Sequence, residues 1–428
     1  MQRVIAHIDG DAFFAACEQA VHPEYRGQPV ITGQERGIVA AASYEAKRYG
    51  VQRGVPLWEV KKLCPHAIIV PSDYETYSLF SQRMFECMRR VSPIVEEYGI
   101  DEGFVDITGL RGPTHRSYSQ LAWQMKQTIQ QELGISVSVG LSVSKVLAKL
   151  GSKWKKPNGF TVILPQHIST YTTATPTEKV WGIGHNTAAY LAKFGIHTAA
   201  DFAKQSEQWV HRHTHKPFQE LWQELNGQSV WEVHTAAKTS YQSISKMKTF
   251  TPPSSNRSYV FAQLSKNIEN AFIKARRYDL STKKIVVYLK QHNFRYRSLE
   301  LVFNRLTSFP QDVLTTVEHQ FHRLFQPTIL YRATGVILVD LRPMQQVQMN
   351  LFESPIKLEK LEQIYASIDA LAKRYGKHTV MHGSSLPVVQ APDQRITERQ
   401  RAMMNNQLHQ TIYQRKFLGM PIFTPIRP

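Results

Sequence analysis

The sequence predicts an α+β protein built from several domains. Its 428 residues are enough for two to four domains that each bury a core. Over residues 1–165, the spacing of apolar residues gives the order strand, helix, strand hairpin, helix, strand. This order is typical of a split βαβ sheet. A helical region and a second region that mixes strands with helices follow.

The first two elements are a strand and a helix that meet at an acidic residue. Apolar residues alternate as far as Ile8, and the following stretch FFAACEQAV has helical spacing. Asp9 stands at the junction, where a side chain at a strand end can project into a cleft. A small basic unit comes next, with a buried strand in GIVAAAS and helices over YEAKRYG and residues 58–63.

The stretch YGIDEGFVDITG, residues 98–109, places two acids side by side in apolar surroundings. Side chains of adjacent strand residues point to opposite faces, so a plain strand cannot direct both Asp101 and Glu102 to one place. Flanking glycines predict a tight turn between strands at about 94–98 and 104–108, where both acids can converge. A solvated hairpin tip is the simpler alternative.

Two amphipathic helices are predicted beside this sheet, at about 77–91 and 118–133. We expect them to cover one face and to leave the other face open for Asp9 and the acidic turn. The last strand, ISVSVGLS, precedes VSKVLAKLGSKWKKPNGF, which places five lysines between Lys145 and Lys156. We expect this segment to form a lysine-rich loop beside the acids.

Three acids beside a run of lysines suggest phosphoryl-transfer chemistry. Carboxylates are ligands that Mg²⁺ accepts, and lysines bind phosphates. Two Mg²⁺ ions can stabilise an in-line displacement, one by activating the attacking oxygen and the other by neutralising the leaving group. Adjacent carboxylates would then be tolerated because the ions cancel their repulsion.

The region from about residue 166 to 233 is predicted to be helical. In VWGIGHNTAAYLAKFG, Gly182 and Gly184 separate short helices. Such a hairpin can present backbone N–H groups to a phosphate, although the same glycines can simply form a helix C-cap and a turn. The stretch from Thr235 to Ser245 is polar and without strong periodicity, which indicates a linker.

The charge of the chain indicates a polyanionic partner. The formal net charge is +18 and the pI is near 9.7, which favours nucleic acid. Residues 241–343 contain 16 Lys and Arg against 6 Asp and Glu, so this region is expected to be a domain that contacts nucleic acid. Arg295, Tyr296 and Arg297 alternate base with aromatic, as nucleic-acid surfaces do, although a charge run is often only a solvated face.

The three cysteines lie far apart without CxxC spacing, which predicts buried thiols in a reducing compartment rather than disulfides or a zinc site.

No apolar run approaches the ~20 residues of a membrane helix. Asp9 and Asp11 also precede any signal-type apolar core. We therefore expect a soluble cytoplasmic protein that associates with the nucleoid and has no membrane partner.

In combination, the motifs resemble those of the Y-family translesion DNA polymerases, especially the bacterial polymerase IV and polymerase V catalytic-subunit group. Over roughly residues 1–350 they occur in family order and at family spacing: HIDGDAFFAACE, SYEAKRYGV, GIDEGFVDITG, SVGLSVSKVLAKLGSKWKKPNG, VWGIG and QSISKMKTF. The resemblance implies a low-fidelity, template-directed DNA polymerase that bypasses damaged bases. Its implied partners are primer–template DNA and deoxynucleoside triphosphates, with accessory subunits as further candidates.

The resemblance also implies a right-hand architecture, in which small fingers enclose the new base pair loosely. The implied parts are a ferredoxin-like palm (1–10 and 75–165), fingers (11–74), a helix-hairpin-helix thumb (166–233), a linker (234–245), an α/β little finger (246–343) and a C-terminal tail or extension (344–428).

For the metal site, the resemblance implies that Asp9, Asp101 and Glu102 are the catalytic ligands of two Mg²⁺ ions, with the carbonyl of Gly10 as a further ligand. Phe14 falls at the position of an aromatic steric gate, whose ring would collide with a ribose 2′-OH. Simple helix packing is the alternative for this ring, a role better suited to the neighbouring phenylalanine.

Tyr44, Lys47 and Lys156 match family positions that contact the incoming triphosphate, with surface charge and a packed ring as the alternatives. Lys47 replaces a usual Arg, so bidentate phosphate binding should become a point-charge contact. Ala41 lacks a hydroxyl often found there, which implies weaker nucleotide affinity, and Gly99 replaces a common Ser, which implies a change in turn geometry. The expected DNA contacts are Gly182, Gly184, Lys246, Lys248, Arg295 and Arg297.

The peptide QMNLF looks like the sequence that binds the bacterial sliding clamp. Gln348, Leu351 and Phe352 would supply the glutamine and two apolar anchors, and an incidental apolar patch is the alternative. The later segment KRYGKHTVMHGSS resembles polymerase V-type extensions.

Two rival functions are a non-catalytic DNA-binding scaffold that retains the polymerase fold and a nucleotide cyclase. The presence of all three acids argues against the scaffold. The helical thumb, the basic little finger and the clamp-like peptide have no use in a cyclase.

Overall fold

The computed structural model of the chain describes residues 2–235, 241–344 and 355–389. It confirms the predicted α+β class. The chain divides into two compact units, Met1–Ala237 and Lys238–Pro428. The three cysteines are buried free thiols, as expected. Within the described ranges, no helix is long and apolar enough to cross a membrane.

The first unit contains a five-stranded and a three-stranded sheet. Its described strands are β1 (Ile5–Gly10), β2 (Val30–Thr32), β3 (Ala41–Ala42), β4 (Ile68–Val70), β5 (Val95–Glu97), β6 (Glu102–Asp106), β7 (Val137–Ser142) and β8 (Phe160–Val162). The larger sheet has the order β5-β6-β1-β7-β8, and the smaller one has the order β3-β2-β4. The central strand β1 pairs antiparallel with β6 and with β7.

The helices of this unit fall into three groups along the chain. The first group is α1 (Phe13–Val21), α2 (Tyr44–Arg48) and α3 (Leu57–Leu63). The second is α4 (Tyr74–Arg89), α5 (Arg111–Thr114), α6 (Tyr118–Leu133) and α7 (Lys145–Trp154). The third is α8 (Ile168–Thr173), α9 (His185–Ala192), α10 (Ala199–Ala203), α11 (Glu207–His213) and α12 (Lys216–Leu225).

Helices cover both faces of the five-stranded sheet. Gly103 of β6 faces α4, because a Cβ there would lie 2.6 Å from a ring carbon of Phe85. Gly140 of β7 faces α7, because a Cβ there would lie 2.0 Å from the carbonyl oxygen of Ala148. These glycines pair with successive residues of β1, which point to opposite faces. The prediction of an open second face is therefore wrong, since α7 lies across it.

The second unit is a four-stranded antiparallel sheet packed against helices. Its described elements are β9 (Ser243–Ser254), α13 (Arg257–Arg277), β10 (Leu280–Gln291), β11 (Tyr296–Thr307), α14 (Pro310–Leu324), β12 (Tyr331–Pro343), α15 (Pro355–Tyr375) and α16 (Leu386–Val389). The strand order is β11-β10-β12-β9. On one face the apolar core lies against α13 and α14, and we call the other the outer face.

Residues 355–389 pack onto this core through buried contacts. Tyr365 is 5% exposed, its ring stacks on Phe309 with centroids 5.2 Å apart, and its hydroxyl lies 3.0 Å from His382 Nε2. The Arg276 guanidinium donates to both carboxylate oxygens of Asp369 at 2.6 and 2.9 Å. The segment is therefore an integral part of the second unit.

Replacing Tyr365 with Ala should destabilise the second unit by about 3 kcal/mol, because it removes a buried ring and opens a cavity. Urea unfolding of the full chain measures the loss, and Ile356→Ala is the matched control because Ile356 lies on the same helix and is 64% exposed. Equal unfolding midpoints for the two variants would contradict a structural role for this helix.

Candidate active site

The pairing of β1 with β6 brings the predicted acids together. Asp9 pairs directly with Glu102, and directly paired residues project to the same face. The backbone N–H of Gly10 donates to the Asp101 carbonyl at 2.7 Å, which places Asp101 beside this pair. A turn is closed by the Gly99 N–H, which donates to the Glu102 carbonyl at 2.9 Å. Of the two acids, only Asp101 lies inside this turn, whereas Glu102 is the first residue of β6. The expectation that both acids lie at the bend is therefore wrong.

Two buried residues that sequence reasoning missed lie against Glu102. Lys149 of α7 donates to both carboxylate oxygens, at 2.9 and 2.8 Å. Nε2 of the fully buried His7 lies 3.3 Å from Glu102 Oε2, outside hydrogen-bond geometry, and burial lowers the pKa of this imidazole. The other ring nitrogen lies 2.7 Å from the Ser152 hydroxyl. Both residues could have been found by spacing: His7 alternates with Asp9 on β1, and Lys149 follows Lys145 by one helical turn.

The acids differ in their electrostatic surroundings. Burial raises the pKa of Glu102, but the contacts with His7 and Lys149 outweigh it and lower that pKa to about 2. Burial, followed by the charges of Asp9 and Glu102, raises the pKa of Asp101 above its ordinary value. The surroundings of Asp101 therefore disfavour its ionised form when no metal is bound.

The acids fit a divalent cation. His7, Asp9 and Glu102 can each offer one ligand atom, and these atoms lie within 4.8 Å of one another. Lys156 Nζ lies 2.5 Å from Asp9 Oδ1, so an ammonium group offsets the charge there. Crowded carboxylate oxygens with unfavourable mutual repulsion are suitable ligands for Mg²⁺.

The three residues expected to bind a triphosphate lie beside the acids. Lys47 Nζ is 4.0 Å from the ring centroid of Tyr44. Burial, with the charges of Asp11 and Asp9, raises the pKa of Tyr44 to about 12. Burial and the neighbouring charge of Lys156 lower the pKa of Lys47. The site therefore combines cations and a protonated phenol at one edge of the carboxylates.

Phe14 lies on α1, four residues after Gly10, and its ring is held by two tyrosines. The ring stacks on Tyr77 with centroids 4.5 Å apart and meets the edge of Tyr74 at 5.4 Å. Phe13 is 3% exposed and belongs to the core, whereas Phe14 is only partly buried. The partly exposed ring is thus fixed in position without being part of the core.

The thumb glycines form a turn followed by a helix start. Gly182 has a positive φ of 96°, a conformation that favours glycine. Gly184 is the N-cap of α9 and supplies no side-chain hydrogen bond, so the first backbone N–H groups of this helix have no capping side chain.

Of the four basic residues expected to contact DNA in the second unit, three lie on the helix-covered face of its sheet and Arg295 lies at a hairpin end. Lys246 and Lys248 alternate with Ser245 and Met247, so they lie on the same side of β9 as the buried core residues. The Arg297 guanidinium donates to the carbonyl of Arg323 on α14 at 3.0 Å, whereas Arg295 is exposed at the hairpin end. The clamp-peptide residues Gln348, Leu351 and Phe352 lie outside the described residues.

Comparison with known proteins gives matches along both units. Residues 8–153 match the impB/mucB/samB family, and residues 241–351 match the impB/mucB/samB family C-terminal domain. DNA polymerase IV of Listeria monocytogenes serotype 4b is 32% identical over 349 residues, which cover 80% of this chain and 96% of that protein. DNA polymerase IV of Moorella thermoacetica is 32% identical over 386 residues, covering 88% and 95%.

Among solved structures, the Y-family DNA polymerase chimera Dbh-Dpo4(243-245)-Dbh aligns with a TM-score of 0.66 and 24% identity, covering 79% of this chain and 99% of that one. The fold is therefore that of a right-hand polymerase with a palm-like core and a separate C-terminal domain. The chain belongs to the impB/mucB/samB family of Y-family translesion DNA polymerases and is of the DNA polymerase IV type. It is a DNA-directed DNA polymerase, and the non-catalytic scaffold is not favoured.

Proposed function

We propose that Asp9, Asp101 and Glu102, with the carbonyl of Gly10, hold two Mg²⁺ ions at the polymerase active site. The direct pairing of Asp9 with Glu102 at adjoining strand ends carries this proposal, because it places two carboxylates on one face with Asp101 next to them. Ions held by these residues would supply activation of the primer 3′-OH and stabilisation of the charge on the leaving pyrophosphate.

The surrounding residues bind and orient the substrates. Lys47 and Lys156 offer point charges to the triphosphate, and Tyr44, whose pKa of about 12 keeps its hydroxyl protonated at neutral pH, can donate a hydrogen bond to it. Lys149 fixes the carboxylate of Glu102 from the interior by donating to both of its oxygens, which orients this ligand before the substrates arrive.

Primer extension in Mg²⁺ on undamaged and abasic templates tests the proposal. The wild type should extend both primers, and Asp101→Ala/Glu102→Ala should extend neither while it still binds primer–template DNA. A DNA-binding double variant that extends primers at the wild-type rate would contradict the assignment of the metal ligands.

We further propose that the parts of the chain act as in a right hand. The five-stranded sheet and its helices form the palm, the small sheet with α2 and α3 forms the fingers, α8 to α12 form the thumb and the second unit forms the little finger. The N-terminus of α9 after Gly184 supports a phosphate contact by the thumb. Lys246, Lys248, Arg295 and Arg297 remain candidates for contacts between the little finger and the DNA backbone.

The peptide QMNLF is proposed to bind the bacterial sliding clamp, on the basis of its glutamine and two apolar anchors. Such a partner would concentrate the enzyme on DNA at the nucleoid. Deleting residues 348–352 should abolish clamp-stimulated synthesis and leave clamp-free synthesis intact. Substitution of the two intervening residues, Met349 and Asn350, by Ala is the matched control and should retain the stimulation. Full stimulation of the deletion variant would contradict the proposal.

A further inference from the structure

Trp181 joins two apolar clusters of the first unit. It directly precedes the glycine turn before α9, in the part of the chain proposed as the thumb. Its ring packs against the core of that helical region and against a second cluster, formed by Ile5, Phe104 and Ala148 around the five-stranded sheet. The ring stacks on Phe104 with centroids 5.4 Å apart, which places the indole against β6, the strand that begins at Glu102.

The indole also restrains the ring of Tyr98. Its Nε1–H donates to the Tyr98 hydroxyl at 3.0 Å, and the two rings meet edge to face with centroids 5.1 Å apart. Tyr98 is 44% exposed, so burial alone does not fix this side chain. The hydrogen bond and the ring contact therefore join Trp181 and Tyr98 into one aromatic pair.

Lys149 lies between this aromatic pair and Glu102. Its Nζ is 4.4 Å from the ring centroid of Tyr98 and 5.0 Å from that of Trp181. The Lys149 side chain is 5% exposed, and the attraction between a cation and an aromatic face is stronger where water is excluded. An ammonium group has three N–H donors. Two of them donate to the Glu102 carboxylate, which leaves one for the rings.

We propose that Trp181 is a positioning residue for the metal site. With Tyr98 it holds the ammonium of Lys149 in place, and Lys149 in turn orients the carboxylate of Glu102. This role depends on Glu102 being a metal ligand, as proposed for this site. Groups that orient a ligand from outside the coordination shell contribute strongly to metal affinity. A residue of the helical region thus contributes to metal binding at the sheet without touching the metal.

Equilibrium binding of Mn²⁺, measured by electron paramagnetic resonance, tests this role without turnover. The sample is the full chain with primer–template DNA whose primer lacks its 3′-OH and with the incoming dNTP. Trp181→Leu should weaken Mn²⁺ binding by about tenfold, because Lys149 is no longer restrained. In a Lys149→Met background the same substitution should change the affinity by less than about twofold, because the group through which Trp181 acts is absent.

Trp209→Leu is the matched control. Trp209 is another half-buried indole of the helical region, and its ring packs on Phe194 and His213. This variant should keep the wild-type affinity for Mn²⁺. Tyr98→Leu provides a second variant at an exposed position, in case Trp181→Leu does not fold. It should weaken Mn²⁺ binding when Lys149 is present and have little effect in the Lys149→Met background.

Two results would overturn the proposal while the metal site stands, with two Mn²⁺ ions bound by the wild type. The first is an equal loss of affinity for Trp181→Leu in both backgrounds, which would mean that the ring only supports the fold. The second is wild-type affinity in both Trp181→Leu and Tyr98→Leu. A wild type that binds no Mn²⁺ would instead overturn the proposed metal site and the role of Trp181 together.

Discussion

Asp101→Asn is expected to lower the rate of nucleotide transfer by about 1,000-fold or more while it raises the stability of the metal-free protein. The loss of activity follows from the removal of a charged metal ligand. The gain in stability follows because burial and the charges of Asp9 and Glu102 raise the pKa of Asp101, so its ionised form opposes folding. The melting temperature in EDTA at neutral pH should rise by about 2–4 °C.

The pH dependence of this gain has a definite sign. A carboxyl whose pKa is raised on folding destabilises the native state above that pKa, where it is ionised. Below its ordinary value of 3.8 it is protonated in both states and the effect disappears. Melting curves of wild type and Asp101→Asn should therefore separate at pH 7 and coincide near pH 3. A variant that is less stable than the wild type at pH 7 would contradict this account of the site.

Phe14→Ala is expected to admit ribonucleotides, with discrimination between the two sugars falling on the order of 100-fold. The ring is held in place by Tyr77 and Tyr74, so it cannot easily move aside for a 2′-OH. Single-nucleotide incorporation of a dNTP and the matching rNTP gives the ratio of kcat/KM values.

The control for this experiment is Phe14→Tyr, which retains a ring at this position and should remain selective. Retained discrimination by a stable Phe14→Ala would mean that another side chain excludes the 2′-OH. General loss of dNTP incorporation with unchanged selectivity would mean that Phe14 serves packing.

The sequence was sufficient where a local pattern determines the structure. The helix predicted over residues 118–133 begins and ends at those residues, with Ser117 and Gln120 forming the capping box. The meeting of Asp9 with the acidic pair was also predictable, because strand ends joined by a turn lie at one edge of a sheet. The exact strand register was not, and it decides that Glu102 rather than Asp101 lies opposite Asp9.

The prediction of a loop for the lysine-rich segment is wrong, because a high density of lysines does not distinguish a loop from a helix. Residues 145–154 instead form α7, and lysines spaced by four residues fall on one face of a helix. Lys145 and Lys149 are buried by their partners, at 2.6 Å from Glu96 and 2.8 Å from Glu102. A buried charge becomes tolerable only when a distant part of the chain supplies its counterion, which local sequence does not reveal.

Amino-acid composition also does not predict which way the side chains of the second unit point. Arg295 and Arg297 both follow the basic pattern, yet the helix α14 accepts a hydrogen bond from one of them.

The central claim is that three carboxylates of the palm hold two metal ions. The most direct measurement is the number of Mn²⁺ ions bound per chain, by electron paramagnetic resonance, with a primer lacking its 3′-OH and an incoming dNTP. The wild type should bind two Mn²⁺ ions per chain. The triple variant Asp9→Asn/Asp101→Asn/Glu102→Gln should bind neither of them. Two ions retained by the folded, DNA-bound triple variant would contradict the claim.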